Sequence, residues 1–227
     1  MSNVISRVWL GGAMPDRFKE YGAEWEALNP NWKVYDWTEE EVWDTEWDNQ
    51  SILNIMREEN KQPNADHVAF YTHVADVIGY EIAYYGGGFY VNTDVKPLKP
   101  LMDFDMSIPG FAMEDDIHPV NMAMYTPSCG KPGSDLFANI IEILPMRYHM
   151  HRKQGMHIST GVGLIAQALD EYSGPVQFWH RNVFNPIHWS EIAPGTVPDI
   201  DRDYPPETIA THTWSHKEFQ RGAEILP

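Results

Sequence analysis

The stretch YYGGGFYVNTDVKPL, residues 84–98, decides how the fold is interpreted. Three glycines close a long helical pattern, and the apolar run after them predicts a β-strand that continues through the Asn-Thr-Asp triplet. Side chains alternate along a strand, so Asn92 and Asp94 are expected on one face. Val91, Thr93 and Val95 then share the opposite, core-facing side. An amide and a carboxylate are left at the carboxyl end of the strand, where open α/β sheets bind ligands.

The triplet has two interpretations. Two oxygen donors on one face of a strand suit a hard divalent cation such as Mn²⁺ or Mg²⁺, with water and substrate oxygens completing the shell. The alternative is that Asn-Thr-Asp before Lys-Pro only ends the strand, because Asn and Asp are favoured in turns. The triplet alone leaves both open.

The surrounding sequence predicts an α/β domain. Residues 65–85 place apolar side chains at helical spacing with few breakers and predict one long helix. Upstream, residues 4–12 and 32–37 indicate strands, and residues 16–30 form an amphipathic helical pattern that stops at an Asn-Pro pair. Alternating strands and helices are typical of an α/β fold with a mostly parallel sheet flanked by helices. No repeat or linker interrupts the chain, so residues 1–227 are expected to form a single domain.

The overall charge excludes some partners. The formal net charge is −17 at pH 7, and such a surface repels phosphate backbones and anionic lipid, so no nucleic acid is expected to bind. For an anionic substrate to bind, its negative charge has to be balanced in the site by a metal ion or by amide donors. Cys129 is the only cysteine, which suits a reducing compartment. No apolar run approaches the roughly 18 residues of a membrane span, so we expect a soluble cytoplasmic protein.

A resemblance to a known family begins in the same stretch. ADVIGYEIAYYGGGFYVNTDVKPL resembles the segment SD-x-x-R-x-x-x-L-x-x-x-GG-x-Y-x-D-x-D of the DXD-containing sugar transferases. That family includes initiating and capsule-type mannosyltransferases and, more distantly, the clostridial glucosylating toxins. The matching residues are Asp76, Gly87, Gly88, Tyr90 and Asp94.

Other segments match in the same order. The segment RVWLGG at residues 7–12 resembles the opening strand of the family, and STGVGLIAQAL and VFNPIHWSE resemble two later elements. ATHTWSHKEF lies where the family has a histidine-containing tail. The likeness runs from residue 8 to about residue 219, judged by motif order. It implies a GT-A fold, a Rossmann-like fold of nucleotide-diphospho-sugar transferases.

The resemblance also implies a reaction. The protein would transfer a sugar from a UDP- or GDP-sugar to a hydroxyl acceptor, a glycan or another molecule, with retention of configuration and with Mn²⁺ or Mg²⁺ as cofactor. Asp94 is expected as a direct metal ligand and Asn92 as a weaker or water-mediated one. His212 is carried over as the third ligand, and the alternative for it is a surface histidine. Asp76 and Asp94 are the expected catalytic residues.

The resemblance places further residues at the donor. Trp9 would stack on the nucleobase, with the amides of the loop after it meeting the nucleotide; the alternative is a core tryptophan. The resemblance implies that Asp76 binds sugar or ribose hydroxyl groups of the donor. The cost of burying an unpaired aspartate on an apolar helix also favours a specific role for it. The complete expected donor set is Trp9, Leu10, Gly11, Asp76, Gly87, Gly88, Asn92, Thr93, Trp214 and Ser215.

Two departures from the family pattern open alternatives. Asn92 replaces the first aspartate of the DXD motif and removes a negative charge, and Gly79 replaces the arginine expected three residues after Asp76. A catalytically silent relative that binds a sugar or nucleotide is therefore a second hypothesis. A glycoside hydrolase that uses Asp76 and Asp94 is a third. The acidic run that begins at Glu114 is interpreted as an exposed loop that contributes to solubility.

Overall fold

The computed structural model describes residues 3–101, 104–192 and 198–214. Its first half contains β1 (Val4–Val8), α1 (Asp16–Leu28), β2 (Lys33–Trp37), α2 (Glu39–Asp44), α3 (Gln50–Asn60), α4 (His67–Gly86), β3 (Gly88–Val91) and β4 (Val95–Pro97). Its second half contains β5 (Gly110–Met113), β6 (Pro119–Thr126), α5 (Asp135–His151), α6 (Met156–Ser159), α7 (Val162–Glu171), β7 (Gln177–Trp179), α8 (Arg181–Phe184) and β8 (Ala210–His212).

The main sheet has six strands in the order β2-β1-β3-β6-β5-β7. The pairs β1–β2, β1–β3 and β5–β7 are parallel, whereas β6 runs antiparallel to both β3 and β5. Five strands therefore point the same way and one is reversed. The predicted α/β fold with a mostly parallel sheet is confirmed.

Helices cover both faces of this sheet, because the side chains of its strands alternate between two apolar clusters. Tyr90 and Met124 point into a cluster with the side chains of α3, α4, α5 and α7. Phe89 and Tyr125, their neighbours in sequence, point into a second cluster with α1, α8, β4 and β8. None of the described helices is both long and apolar enough to cross a membrane.

The strand predicted through residues 89–95 is shorter than expected. β3 ends at Val91, and the amide of Val95 donates to the carbonyl of Asn92 across a tight turn at 3.0 Å. The prediction that Asn92 and Asp94 alternate on one continuous strand is therefore wrong. The chain turns because the next residues, β4, pair with β8 in a separate two-stranded sheet instead of extending β3.

Candidate functional site

A cavity of about 300 Å³ opens at the edge of the main sheet where β1 and β3 end. The turn after β3, the first residues of β6 and one side of α4 form its walls. Nine of the predicted site residues line this cavity: Trp9, Leu10, Gly11, Asp76, Asn92, Thr93, Asp94, His212 and Trp214. The triplet thus ends a strand and also faces a cavity, so the two interpretations of the sequence are compatible.

Gly87 and Gly88 lie at the opposite end of β3 and not in the cavity. Both have positive φ, 66° and 93°, and a Cβ on Gly88 would lie 2.4 Å from the carbonyl oxygen of Val4. These glycines let the chain leave α4 and enter β3 close beside β1. Their predicted place at the donor is corrected to a role in the backbone. Ser215, also predicted there, lies outside the described residues.

Asp94 and His212 meet although 118 residues separate them. The antiparallel pairing of β4 and β8 sets Val95 opposite His212, and the imidazole Nε2 lies 3.0 Å from Oδ1 of Asp94. Both side chains are largely buried. The backbone amide and the hydroxyl of Thr213 both donate to the carbonyl oxygen of Asp94, each at 2.9 Å. The main chain therefore fixes this pair, and His212 is not a surface histidine.

The pair has a geometry that suits a divalent cation. Neighbouring ligands of an octahedral ion, each about 2.1 Å from it, lie about 3 Å apart. The observed separation of Oδ1 and Nε2 is 3.0 Å, and the amide of Asn92 borders the same cavity. The described residues contain no cluster of three His, Cys, Asp or Glu side chains able to hold a metal. A cation here would therefore need oxygen atoms from Asn92, substrate or water as well.

Asp76 is buried on α4 and is held by two distant segments. Asn121 Nδ2 donates to its Oδ1 and Thr160 Oγ1 to its Oδ2, both at 2.8 Å. Burial raises the pKa of Asp76, and the hydrogen bonds from Thr160 and Asn121 and the nearby His73 and His157 oppose that rise. The hydrogen bonds from Asn121 and Thr160 offset the energetic cost of burying the carboxyl group. Each oxygen keeps a further lone pair for a ligand.

In the loop after β1, Trp9 lines the cavity, but the backbone amides of the loop are not free to bind a nucleotide. Trp9 is half-buried and lines the cavity, with its indole N–H donating to the carbonyl of Gly12 at 3.0 Å. The amides of Gly11 and Gly12 donate to the carboxylate of Glu39 at 3.0 and 3.3 Å. The expectation that these amides meet the nucleotide is therefore corrected, because Glu39 occupies them. Trp9 lines the cavity, and its stacking on a nucleobase stays a prediction.

Packing explains why glycine is present at position 79. A Cβ at Gly79 would lie 2.9 Å from Cζ of Tyr90 and 3.1 Å from Cε2. The Tyr90 ring is buried, with 1% of the residue exposed, so a Cβ at residue 79 would press against the end of a packed ring. The aromatic ring thus takes the room that an arginine side chain would need.

Glu114 and Asn185 are among the cavity residues that sequence reasoning missed. Glu114 was assigned to an exposed acidic loop, but it is 6% exposed and lines the cavity, and that assignment is wrong. It directly follows β5, so its position after a buried strand at the sheet edge was a usable signal. Asn185 is fully buried and also lines the cavity. It lies inside a segment that resembles the family, but the motif does not mark it.

The described lining of the cavity is acidic. Asp76, Asp94 and Glu114 contribute carboxyl groups, and the described lining residues include no lysine or arginine. A diphosphate placed here would meet carboxylates without a lysine or arginine from these residues. The electrostatics of this lining therefore favour a bound cation between protein and anion.

Comparisons with known proteins agree with the resemblance. Residues 15–112 match the family model described as a glycosyltransferase sugar-binding region containing a DXD motif. No curated protein matches the sequence. The solved structure of PaToxG glycosyltransferase is similar, with a TM-score of 0.58, 14% identity, and coverage of 75% of this chain and 69% of that one. A ligand-free glycosyltransferase domain from the YGT toxin has a TM-score of 0.50 at 10% identity, over 84% of this chain and 82% of that one.

At these identities the two structures establish a shared fold, that of the GT-A glycosyltransferases. The matched region contains Asp76, Gly79 and the triplet, whereas Glu114, Asn121, Thr160 and His212 lie beyond it. The resemblance inferred from the motifs is thus confirmed by sequence over residues 15–112 and by fold over most of the chain. Residues 15–112 are thus similar to a glycosyltransferase sugar-binding region that contains a DXD motif, and the described fold is that of the GT-A glycosyltransferases.

Proposed function

We propose that the protein is a metal-dependent glycosyltransferase that moves a sugar from a UDP- or GDP-sugar to a hydroxyl acceptor with retention of configuration. The observation that carries the proposal is the buried Asp94–His212 pair beside Asn92, in a cavity whose described lining contains no lysine or arginine. Such a site can hold an anionic donor when a divalent ion lies between carboxylate and diphosphate.

The roles of the residues follow from their places. Asp94 and His212 would hold Mn²⁺ or Mg²⁺, with Asn92 supplying an amide oxygen. The ion, when bound, neutralises charge on the departing diphosphate. Trp9 presents an indole face for the nucleobase at the end of β1. Trp214 packs against His212, with ring centroids 4.3 Å apart, and its indole N–H donates to the carbonyl of Ile187, which shields the pair from water.

Asp76 has a positioning role in this proposal. Its carboxyl group cannot swing, because Asn121 and Thr160 hold both oxygens. It can therefore accept a hydrogen bond from a sugar or ribose hydroxyl in one fixed direction. No protein side chain is assigned as a base, because a retaining front-face transfer does not require one.

A catalytically silent relative is the second candidate, and two observations favour it. Asn92 supplies less charge to a metal site than aspartate, and the ring of Tyr90 fills the space beside Gly79. Such a protein would bind a nucleotide sugar without breaking it. The two candidates differ in turnover and not in binding.

A panel of UDP- and GDP-sugars, assayed for nucleotide release, tests the proposal. We expect release with at least one donor in the presence of Mn²⁺ and its loss on addition of a chelator. Donor binding without release would instead support the silent relative. Hydrolysis of a simple glycoside that persists in chelator would refute the transferase proposal in favour of a hydrolase.

The Asn92→Asp variant tests the metal shell. Restoring the carboxylate adds a negative charge to the site, so we expect Mn²⁺ affinity to rise about tenfold, measured by calorimetry. Asn54→Asp, at an exposed position on α3, adds the same charge elsewhere and should leave the affinity unchanged. Weaker Mn²⁺ binding in Asn92→Asp would show that residue 92 is not in the shell.

A further inference from the structure

Two buried polar side chains in the cavity have no partner among the described residues. Oε1 of Glu114 makes no hydrogen bond there, and neither does Nδ2 or Oδ1 of Asn185. Glu114 is 6% exposed and Asn185 is fully buried, and both line the cavity. Polar atoms that are buried without partners are costly. A ligand that hydrogen-bonds to both side chains would remove that cost.

The order of the strands places Glu114 far from Trp9. Trp9 follows β1, the triplet follows β3, and Glu114 follows β5, while the strand order is β1-β3-β6-β5. Neighbouring strands are about 4.8 Å apart, so the end of β5 lies about 14 Å from the end of β1 and about 10 Å from that of β3. The cavity therefore has an end near Trp9, a middle at the triplet and an end near Glu114.

The packing of α8 places Asn185 near the strand that leads to Glu114. It directly follows α8, which packs against β5 and β8. Phe184, the last residue of α8, shares a core cluster with Ala112 of β5 and with Val120 of β6. Asn185 is thereby held between the strand that leads to Glu114 and the strand that carries His212.

We propose that Glu114 and Asn185 form a subsite that binds the hydroxyl groups of the transferred sugar, and that this sugar is a neutral one. The inference rests on the proposed function, in which the base lies at Trp9 and the diphosphate at the triplet. The sugar then extends toward Glu114. A carboxylate accepts from a hydroxyl, and an amide both donates and accepts, which matches adjacent sugar hydroxyls.

The charge of the subsite supports a neutral sugar. Asp76, Asp94 and Glu114 all border the cavity, and the described lining provides no lysine or arginine to pair with a carboxylate or phosphate on the sugar. A uronic acid would bring a like charge to this end of the cavity.

Binding measurements with and without the sugar test the subsite. Calorimetry with UDP, GDP, UDP-glucose and GDP-mannose in Mn²⁺ compares the wild type with Glu114→Gln and Asn185→Ala. We expect each variant to bind UDP-glucose or GDP-mannose about tenfold more weakly, the loss typical of one hydrogen bond in a buried site. Binding of UDP and GDP should change less than about twofold, because neither nucleotide reaches the subsite.

Asp116→Asn is the matched control for the charge removed in Glu114→Gln. The Asp116 side chain is 88% exposed and lies two residues away in the same loop, so this variant should bind all four compounds like the wild type. Glu114→Gln should keep the melting temperature of the wild type, because the carboxylate it replaces has an unpartnered oxygen.

The possible outcomes test the subsite, the neutral sugar and the proposed function separately. An equal loss of affinity for nucleotides and nucleotide sugars, or no loss for any of them, overturns the subsite. Binding of UDP-glucuronic acid as tight as that of UDP-glucose overturns the neutral sugar. Failure of the wild type to bind UDP and GDP overturns the proposed function itself, and the subsite with it.

Discussion

The Asp94→Ala variant is expected to lose about a thousandfold in Mn²⁺-dependent nucleotide release while remaining folded. The size of the loss follows from removing a charged group that supports a metal at the departing diphosphate. The fold should survive because the bonds that hold this turn run through the backbone. Thr213 donates to the carbonyl oxygen of Asp94, and Val95 pairs with His212, whatever side chain residue 94 carries.

Nucleotide release is measured across a Mn²⁺ titration, together with the melting temperature of each protein. Asp201→Ala is the control, because the Asp201 side chain is 88% exposed and makes only a long ion pair, at 3.9 Å, with Lys96 among the described residues. It should release nucleotide at the wild-type rate. Wild-type release by Asp94→Ala would refute the metal assignment, and loss of release together with a large fall in melting temperature would refute the claim that the fold is independent of this side chain.

Local patterns in the sequence predicted the elements that carry the site. The apolar spacing of residues 65–85 corresponds to α4, and the glycines after it end the helix because Gly87 has a positive φ. Propensity and period are properties of neighbouring residues, so they are visible in one segment of sequence. The same local reasoning showed that an unpaired aspartate on this helix is costly to bury and favoured a specific role for Asp76.

Pairings between distant segments could not be predicted in this way. The hydrogen-bond partners of Asp76 lie 45 and 84 residues away along the chain, and no local sequence pattern identifies them. The triplet was predicted as strand because alternation is local, whereas its turn depends on β4 pairing with β8 more than 100 residues later.

The acidic run that begins at Glu114 shows a different limit of local reasoning. Asp115 and Asp116 are at least partly exposed, as expected of a charged loop, but Glu114 is buried. Its amide donates to the carbonyl of His118 at 2.8 Å, beside the end of the β5–β6 ladder. Composition therefore predicted the exposure of Asp115 and Asp116 correctly. Glu114 is buried because it directly follows the last residue of β5.

Substitution at Gly79 is the second large effect that we expect. Alanine there should lower the free energy of unfolding by about 2 kcal/mol, because the added methyl group overpacks against a buried ring. The better helix propensity of alanine, worth about 1 kcal/mol, offsets part of the cost. Gly79→Arg, which restores the family residue, should destabilise further, since its longer side chain also has to displace Tyr90.

Urea unfolding of Gly79→Ala and Gly86→Ala measures this effect on a single helix. Gly86 is the last residue of α4, and a Cβ there would meet nothing within 4 Å, so its alanine variant should be neutral or stabilised by up to about 1 kcal/mol. If Gly79→Ala proves as stable as Gly86→Ala, the Tyr90 ring can move. The arginine of the family could then be accommodated, and packing against Tyr90 would no longer account for the glycine. If it is destabilised as expected, packing against Tyr90 accounts for the glycine, and the longer arginine side chain of the family would cost still more at this position.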